Sequence, residues 1–178
     1  MRYVSLYLSF FFFLSGCSPS GKEKKDKGIY FDLEGYVNKE ISRLSKENPL
    51  IHKTVAVNGS AEHKRIKIAD WRNELSALSA ADINKTAWSG YFTADTEKTD
   101  STVSYRSDDK KINVKELKII KQKGRLKGIY ILIRNTNMLY ASADTLTYFP
   151  DSIYELRKTQ QIRFLEPKRY RVTLKMKE

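Results

Sequence analysis

The chain has 178 residues, 40% of them hydrophobic and 12% aromatic, with a formal charge of +12 and a single cysteine. Apolar content at that level supplies one packed domain and excludes a disordered polyelectrolyte. One cysteine excludes an intramolecular disulfide framework.

Residues 1–17 open with a basic Arg2, continue through an apolar run from Tyr3 to Leu14, and end in Leu14-Ser15-Gly16-Cys17. That order of charge, apolar core and small residues predicts a secretory signal peptide over residues 1–16. The apolar run is too short for a membrane span, which takes about 20 residues. Leu14-Ser15-Gly16-Cys17 resembles the lipobox of bacterial lipoproteins, which implies cleavage before Cys17 and lipidation of its thiol. Acylation accounts for the odd cysteine. Cleavage also removes Arg2, the one charged side chain of the leader, so the remaining chain stays strongly basic. For an exported protein that charge points away from nucleic acid and toward anionic lipid headgroups, acidic envelope polymers or an envelope protein partner. A plain lysine-rich solvated surface explains it equally well.

Residues 17–28 hold the lipidated cysteine and a tether, SPSGKEKKDK, whose small and charged residues read as flexible. As a coil it reaches on the order of 17 Å from the bilayer. Ser18 is not the aspartate that resembles an inner-membrane retention signal, and the tether is mainly basic. The expected location is therefore the periplasmic side of the outer membrane.

Residues 29–178 read as one α+β domain. Leu33, Val37, Ile41 and Leu44 recur at helical spacing, with Asp32 as cap and Pro49 as stop, so a first helix is expected over 32–48. Asn58-Gly59 predicts a hairpin over 51–68. Its register places Ile51, Val55, Val57, Ile66 and Ile68 on a core face, and His52, Thr54, Ala56, His63, Arg65 and Lys67 on a wet one. His52 and His63 are the only histidines and lie diagonally on that wet face, about 7–8 Å apart. No third ligand joins them, so neither a metal nor any other cofactor is expected. Asp70 caps a second helix carrying Trp71, Leu75 and Leu78 and ending near Ile83. Trp88, Tyr91 and Phe92 are then expected to open a strand that pairs with 102–107.

From Ile112 onward, apolar runs separated by short turns predict an antiparallel meander. Its strands are 112–122, 126–134, 138–149, 153–164 and 170–177. Tyr170, Val172, Leu174 and Met176 alternate with Arg171, Thr173 and Lys175. Leu126 to Ile133 is apolar on both faces, as expected of a strand covered on both. Ile129, Ile131 and Ile133 point one way; Tyr130 and Leu132 point the other and are the candidate lining of a ligand pocket. A centrally buried strand explains the same pattern. The expected architecture is two helices and a hairpin followed by a meander, the helices packed on one face of the sheet.

The segments Tyr30 to Tyr36, Asp82-Ile83-Asn84-Lys85 and Asn137 to Ser152 resemble uncharacterised lipoproteins of Bacteroidota. The resemblance implies location and no activity. It also implies a glycosylation pattern, Asp followed by Ser or Thr and then an apolar residue or threonine. Ser101 and Ser152, in expected turns, are the candidate sites, and Thr145 lies within an expected strand.

Catalytic motifs are absent from the sequence: no Gly-x-Ser-x-Gly, no His-Glu-x-x-His and no glycine-rich phosphate loop. A carboxylate pair drawn from Asp108, Asp109, Glu116, Asp144 or Glu155 is the remaining enzymatic route. The expectation is a non-enzymatic envelope lipoprotein that binds a protein partner or ligand. The alternative is a periplasmic carrier or chaperone holding lipid or another hydrophobic ligand in a curled sheet.

Overall fold

A computed structural model describes residues 29–97 and 101–176; the leader, Cys17 and the tether lie outside them. Among the described residues there are nine strands, all paired antiparallel in one sheet, and three helices. This is the α+β class.

Helix α1 spans Leu33–Glu47, capped by Asp32, whose carboxylate accepts the Gly35 N–H at 2.8 Å. It stops at Asn48, which adopts left-handed backbone (φ 45°) ahead of Pro49. The predicted stripe Leu33, Val37, Ile41 and Leu44 is fully or almost fully buried. Strands β1 (Leu50–Val57) and β2 (Ser60–Lys67) turn about Asn58 and Gly59, both at positive φ (50° and 95°). Val57 faces Ser60 and Val55 faces Glu62, as the two-residue loop requires.

The second helix differs from expectation. It breaks at Leu75 into α2 (Trp71–Glu74) and α3 (Ser76–Ala80), so there are three helices rather than two. Trp71, Leu75, Leu78 and Ala81 are all buried. Burying four residues outweighs the modest propensity of a serine-containing turn to stay regular. Trp88 also departs from its expected strand. Thr86–Trp88 is a 3₁₀ turn, and β3 begins at Thr93. Trp88 and Phe92 instead meet as a tilted ring pair at 6.3 Å.

Strands β3 (Thr93–Glu97), β4 (Thr102–Arg106), β5 (Val114–Gln122), β6 (Arg125–Thr136), β7 (Tyr140–Phe149), β8 (Ile153–Ile162) and β9 (Lys168–Lys175) form a continuous meander. The first hairpin then docks on its far edge, giving the order β2-β1-β9-β8-β7-β6-β5-β4-β3. Two register shifts break the β5–β6 ladder, between Val114 and Glu116 and between Ile120 and Lys121. The first lets both Val114 and Leu117 point inward, three residues apart, where strict alternation would send one outward.

One face of the sheet carries the core. Leu117, Ile119, Ile129, Ile131, Leu146, Tyr148, Tyr154, Leu174 and Ile51 are buried there, in one cluster with the α1 stripe. Three polar links join the helices to two strands and the β7–β8 turn. The Tyr148 hydroxyl donates to Glu40, Arg43 pairs with Asp151 at 2.8 Å, and Lys53 pairs with Glu74 at 2.7 Å. Tyr36 meets the Tyr148 ring edge-on at 6.4 Å. Val55 and Val57 lie on the expected face but stay 39% and 42% exposed. They sit toward the turn, beyond the buried cluster, and so do not belong to the core assigned to them from pattern.

The chain enters the domain beside β3 and β4. Asn84 accepts the Tyr30 N–H and donates to the Phe31 carbonyl. The Tyr30 ring packs edge-on against Phe92 and Tyr105.

Candidate anion-binding trough

The opposite face of the sheet is polar where strands β2, β1, β9 and β8 lie side by side. Cross-strand pairing aligns its side chains in rows. Ala61, Ala56, Arg171 and Arg157 form one row, and His63, Thr54, Thr173 and Glu155 the next. Alanines and threonines leave room in the middle of this surface, and arginines stand beside them. The result is an open trough of about 920 Å³.

Four cationic side chains, Arg157, Arg169, Arg171 and Lys175, line the trough against two carboxylates, Glu155 and Glu166, so its charge is net positive, while Lys158 at its margin pairs with Asp144 on the other face. Glu155 is engaged already: it accepts from Arg157 Nε at 2.6 Å and from the Thr173 hydroxyl at 3.2 Å. Arg171 stands directly opposite Arg157 across the β8–β9 ladder, an arrangement of like charges that destabilises a sheet pair. Among the described residues no carboxylate pairs with Arg171, Arg169 or Lys175. The position of Arg169 is set through its backbone: its N–H donates to Asn58 Oδ1, and its carbonyl accepts the Asn58 N–H, both at 2.8 Å. Arginine suits such a site because its planar fork of donors matches carboxylate and phosphate oxygens.

The two histidines flank this trough on its β1–β2 side. His63 Nδ1 and Thr54 Oγ1 share a hydrogen bond at 2.9 Å, and His52 lies opposite Arg65 and Lys175. Among the described residues no cluster of three metal-ligating side chains forms.

Tyr130 and Leu132 lie on the same face as the trough but outside its lining. Their rows run through Thr147 to Glu155 and through Thr145 to Arg157, so they stand two strands away from it. Both are half-buried. Next to them the Phe149 ring covers Gly128, where an added Cβ would come within 2.6 Å of the ring. Strand β6 is thus an interior strand with a buried core face and a partly covered second face.

Ser101 and Ser152 are exposed turn residues, Ser101 at positive φ (50°), while Thr145 is half-buried within β7. The acidic residues named for catalysis are dispersed. Glu116 pairs with Arg106 at 3.0 Å, Asp144 with Lys158 at 3.2 Å, and Asp109 accepts the Lys111 N–H at 2.7 Å. Asp144 and Glu155 lie on opposite faces of the sheet, because Asp144 shares the row of Ile133 and Glu155 that of Thr147.

The arginines of the trough escaped notice in the sequence, although Arg171, Thr173 and Lys175 were placed on one face of β9. Their convergence with Thr54 and His63 requires the β1–β9 pairing, which joins residues more than 110 positions apart. Compared with known proteins, the chain matches no family model, no curated protein and no solved structure.

Proposed function

We propose that this chain is a non-enzymatic envelope lipoprotein, tethered through Cys17 to the periplasmic side of the outer membrane, that binds an anionic ligand in the β2-β1-β9-β8 trough. In this reading the three helices cover one face of the sheet and leave the other for recognition. The contacts of Glu40, Tyr36 and Glu74 with strand residues support that packing. The observation that carries the ligand class is the pair Arg157 and Arg171, directly opposed, with Glu155 bound to Arg157. An incoming anion offsets the repulsion that the free protein tolerates. An arginine-lined trough favours a charged group over the acyl chain that a hydrophobic carrier would hold.

Calorimetric titration of the full chain with inorganic polyphosphate tests this reading. Replacing Arg157 and Arg171 by Gln is expected to weaken binding by about tenfold or more, since a charged hydrogen bond contributes about 1.5–3 kcal/mol. Replacing Lys110 and Lys111 by Gln removes the same charge elsewhere and should leave affinity within about twofold, as solvent screens dispersed surface charge. Equal losses from the two pairs would show diffuse attraction and no site.

A further inference from the structure

One end of the sheet carries apolar turn tips. The β6–β7 turn holds Met138 and Leu139, and the β8–β9 turn holds Phe164 and Leu165. Strands β7 and β8 are neighbours, paired up to Tyr140 and Ile162. Just beyond that pair the Arg163 N–H donates to the Leu139 carbonyl at 2.9 Å, which holds the two tips side by side. Met138 is 87% exposed and Phe164 89%, with Leu139 and Leu165 more than half exposed. Turn tips ordinarily carry Gly, Asn, Asp, Ser or Pro. Four exposed large apolar side chains on two adjoining turns form a patch of the kind that marks an interaction surface.

The backbone supports the display. Phe164 sits at φ 66°, a left-handed conformation that a bulky residue adopts at a cost and that Gly or Asn would take readily. The chain therefore holds an aromatic ring outward at a position whose geometry favours a small residue. The Arg163 guanidinium lies 5.0 Å from the Phe164 ring centre, and Lys168 and Arg169 follow at the start of β9. Exposed apolar side chains beside three basic residues, against the one carboxylate of Glu166 in the same turn, match the interface of a bilayer, where acyl boundary lies behind anionic headgroups. The trough reaches the same end of the sheet, where Gly59, Pro167 and Arg169 line it.

We propose that this end of the sheet docks on an anionic bilayer, inserting Met138, Leu139, Phe164 and Leu165 into the headgroup–acyl boundary while Arg163, Lys168 and Arg169 meet the headgroups. The contact is separate from the Cys17 anchor and does not depend on which ligand the trough takes.

Tryptophan fluorescence of the full chain, reconstituted in vesicles of phosphatidylcholine with phosphatidylglycerol, tests the proposal. The reporter is Phe164→Trp, read against the parent chain, which supplies the background of Trp71 and Trp88. In vesicles whose acyl chains carry bromine, the added emission is expected to shift to the blue and to be quenched by at least half. Ser152→Trp, at the opposite end of the sheet, should keep a water-exposed spectrum and remain unquenched. Omitting phosphatidylglycerol should reduce the quenching at position 164. An unshifted, unquenched Phe164→Trp would overturn the proposal and leave the patch for a protein groove. Equal quenching at 152 and 164 would overturn it as well, because the anchor alone would then account for proximity. Quenching at 164 that is indifferent to phosphatidylglycerol would remove the role assigned to the cations.

Discussion

Tyr148 joins α1 to the middle of the sheet. Its ring is buried, and its hydroxyl donates to Glu40, which Arg43 also holds through two hydrogen bonds of 3.1 and 2.8 Å. Burial, reinforced by the hydrogen bond to Glu40, pushes the phenol well above the usual tyrosine range. Tyr36 and Tyr154 shift in the same direction, also chiefly through burial. These phenols stay protonated in the folded chain at pH values where the unfolded chain ionises. Their contribution to stability is therefore complete below the ordinary tyrosine pKa of about 10 and is lost as pH rises beyond it. Tyr148→Phe should cost about 1–2 kcal/mol at neutral pH, because Glu40 loses a donor. The same variant should lose stability less steeply above pH 10 than the parent. Urea midpoints on both sides of that pH measure the effect, and identical alkaline slopes would show that Tyr148 is not the group that titrates.

At the scale of elements, the first hairpin is the piece whose attachment matters most to the trough, since β1 supplies Thr54 and Ala56 and meets β9 along six residue pairs. Asn58 serves twice in that attachment. It takes left-handed backbone in the turn, and its side chain and N–H both bond the Arg169 backbone. Asn58→Ala should therefore destabilise the fold by about 1–2 kcal/mol, combining the left-handed penalty with a lost hydrogen bond. Amide exchange at Arg169 should accelerate in the same variant. Unchanged exchange there would mean that the β1–β9 ladder docks the hairpin without help from its turn. Strand β6 shows how far pattern reading reaches within an element. Ile129 and Ile131 are buried as alternation demands, yet the half-buried state of Tyr130 and Leu132 follows from the sheet around them and not from their own strand.

At the scale of the whole molecule, the net positive charge bears on the proposed anchor. On the proposed tether, a basic domain is held near an anionic surface, where each cation close to the membrane adds about 1 kcal/mol of attraction. The proposed anchor is testable apart from the domain. Cys17→Ala should abolish labelling by a clickable palmitate analogue in a bacterial host and should release the chain from salt-washed membranes. Labelling that persists in the variant would place the lipid on another residue. No helix among the described residues is long and apolar enough to cross a membrane.

Local order was readable from the sequence by itself because it depends on near neighbours. The α1 stripe, the Asp32 and Asp70 caps, the Asn58-Gly59 turn with its register, and the order of the meander strands all rest on spacings of a few residues. Three features depended on contacts distant in sequence and became visible only in the tertiary structure. The break at Leu75 accompanies the burial of Trp71, Leu75 and Leu78, and the 3₁₀ turn at Trp88 brings its half-buried ring against Phe92. Val55 and Val57 remain exposed because the core ends before it reaches them. The trough forms because β1 pairs with β9, bringing Thr54 and His63 to Arg157 and Arg171. Periodicity assigns a residue to a face of its own strand, but only the order of strands in the sheet decides which residues of other strands share that face beside it.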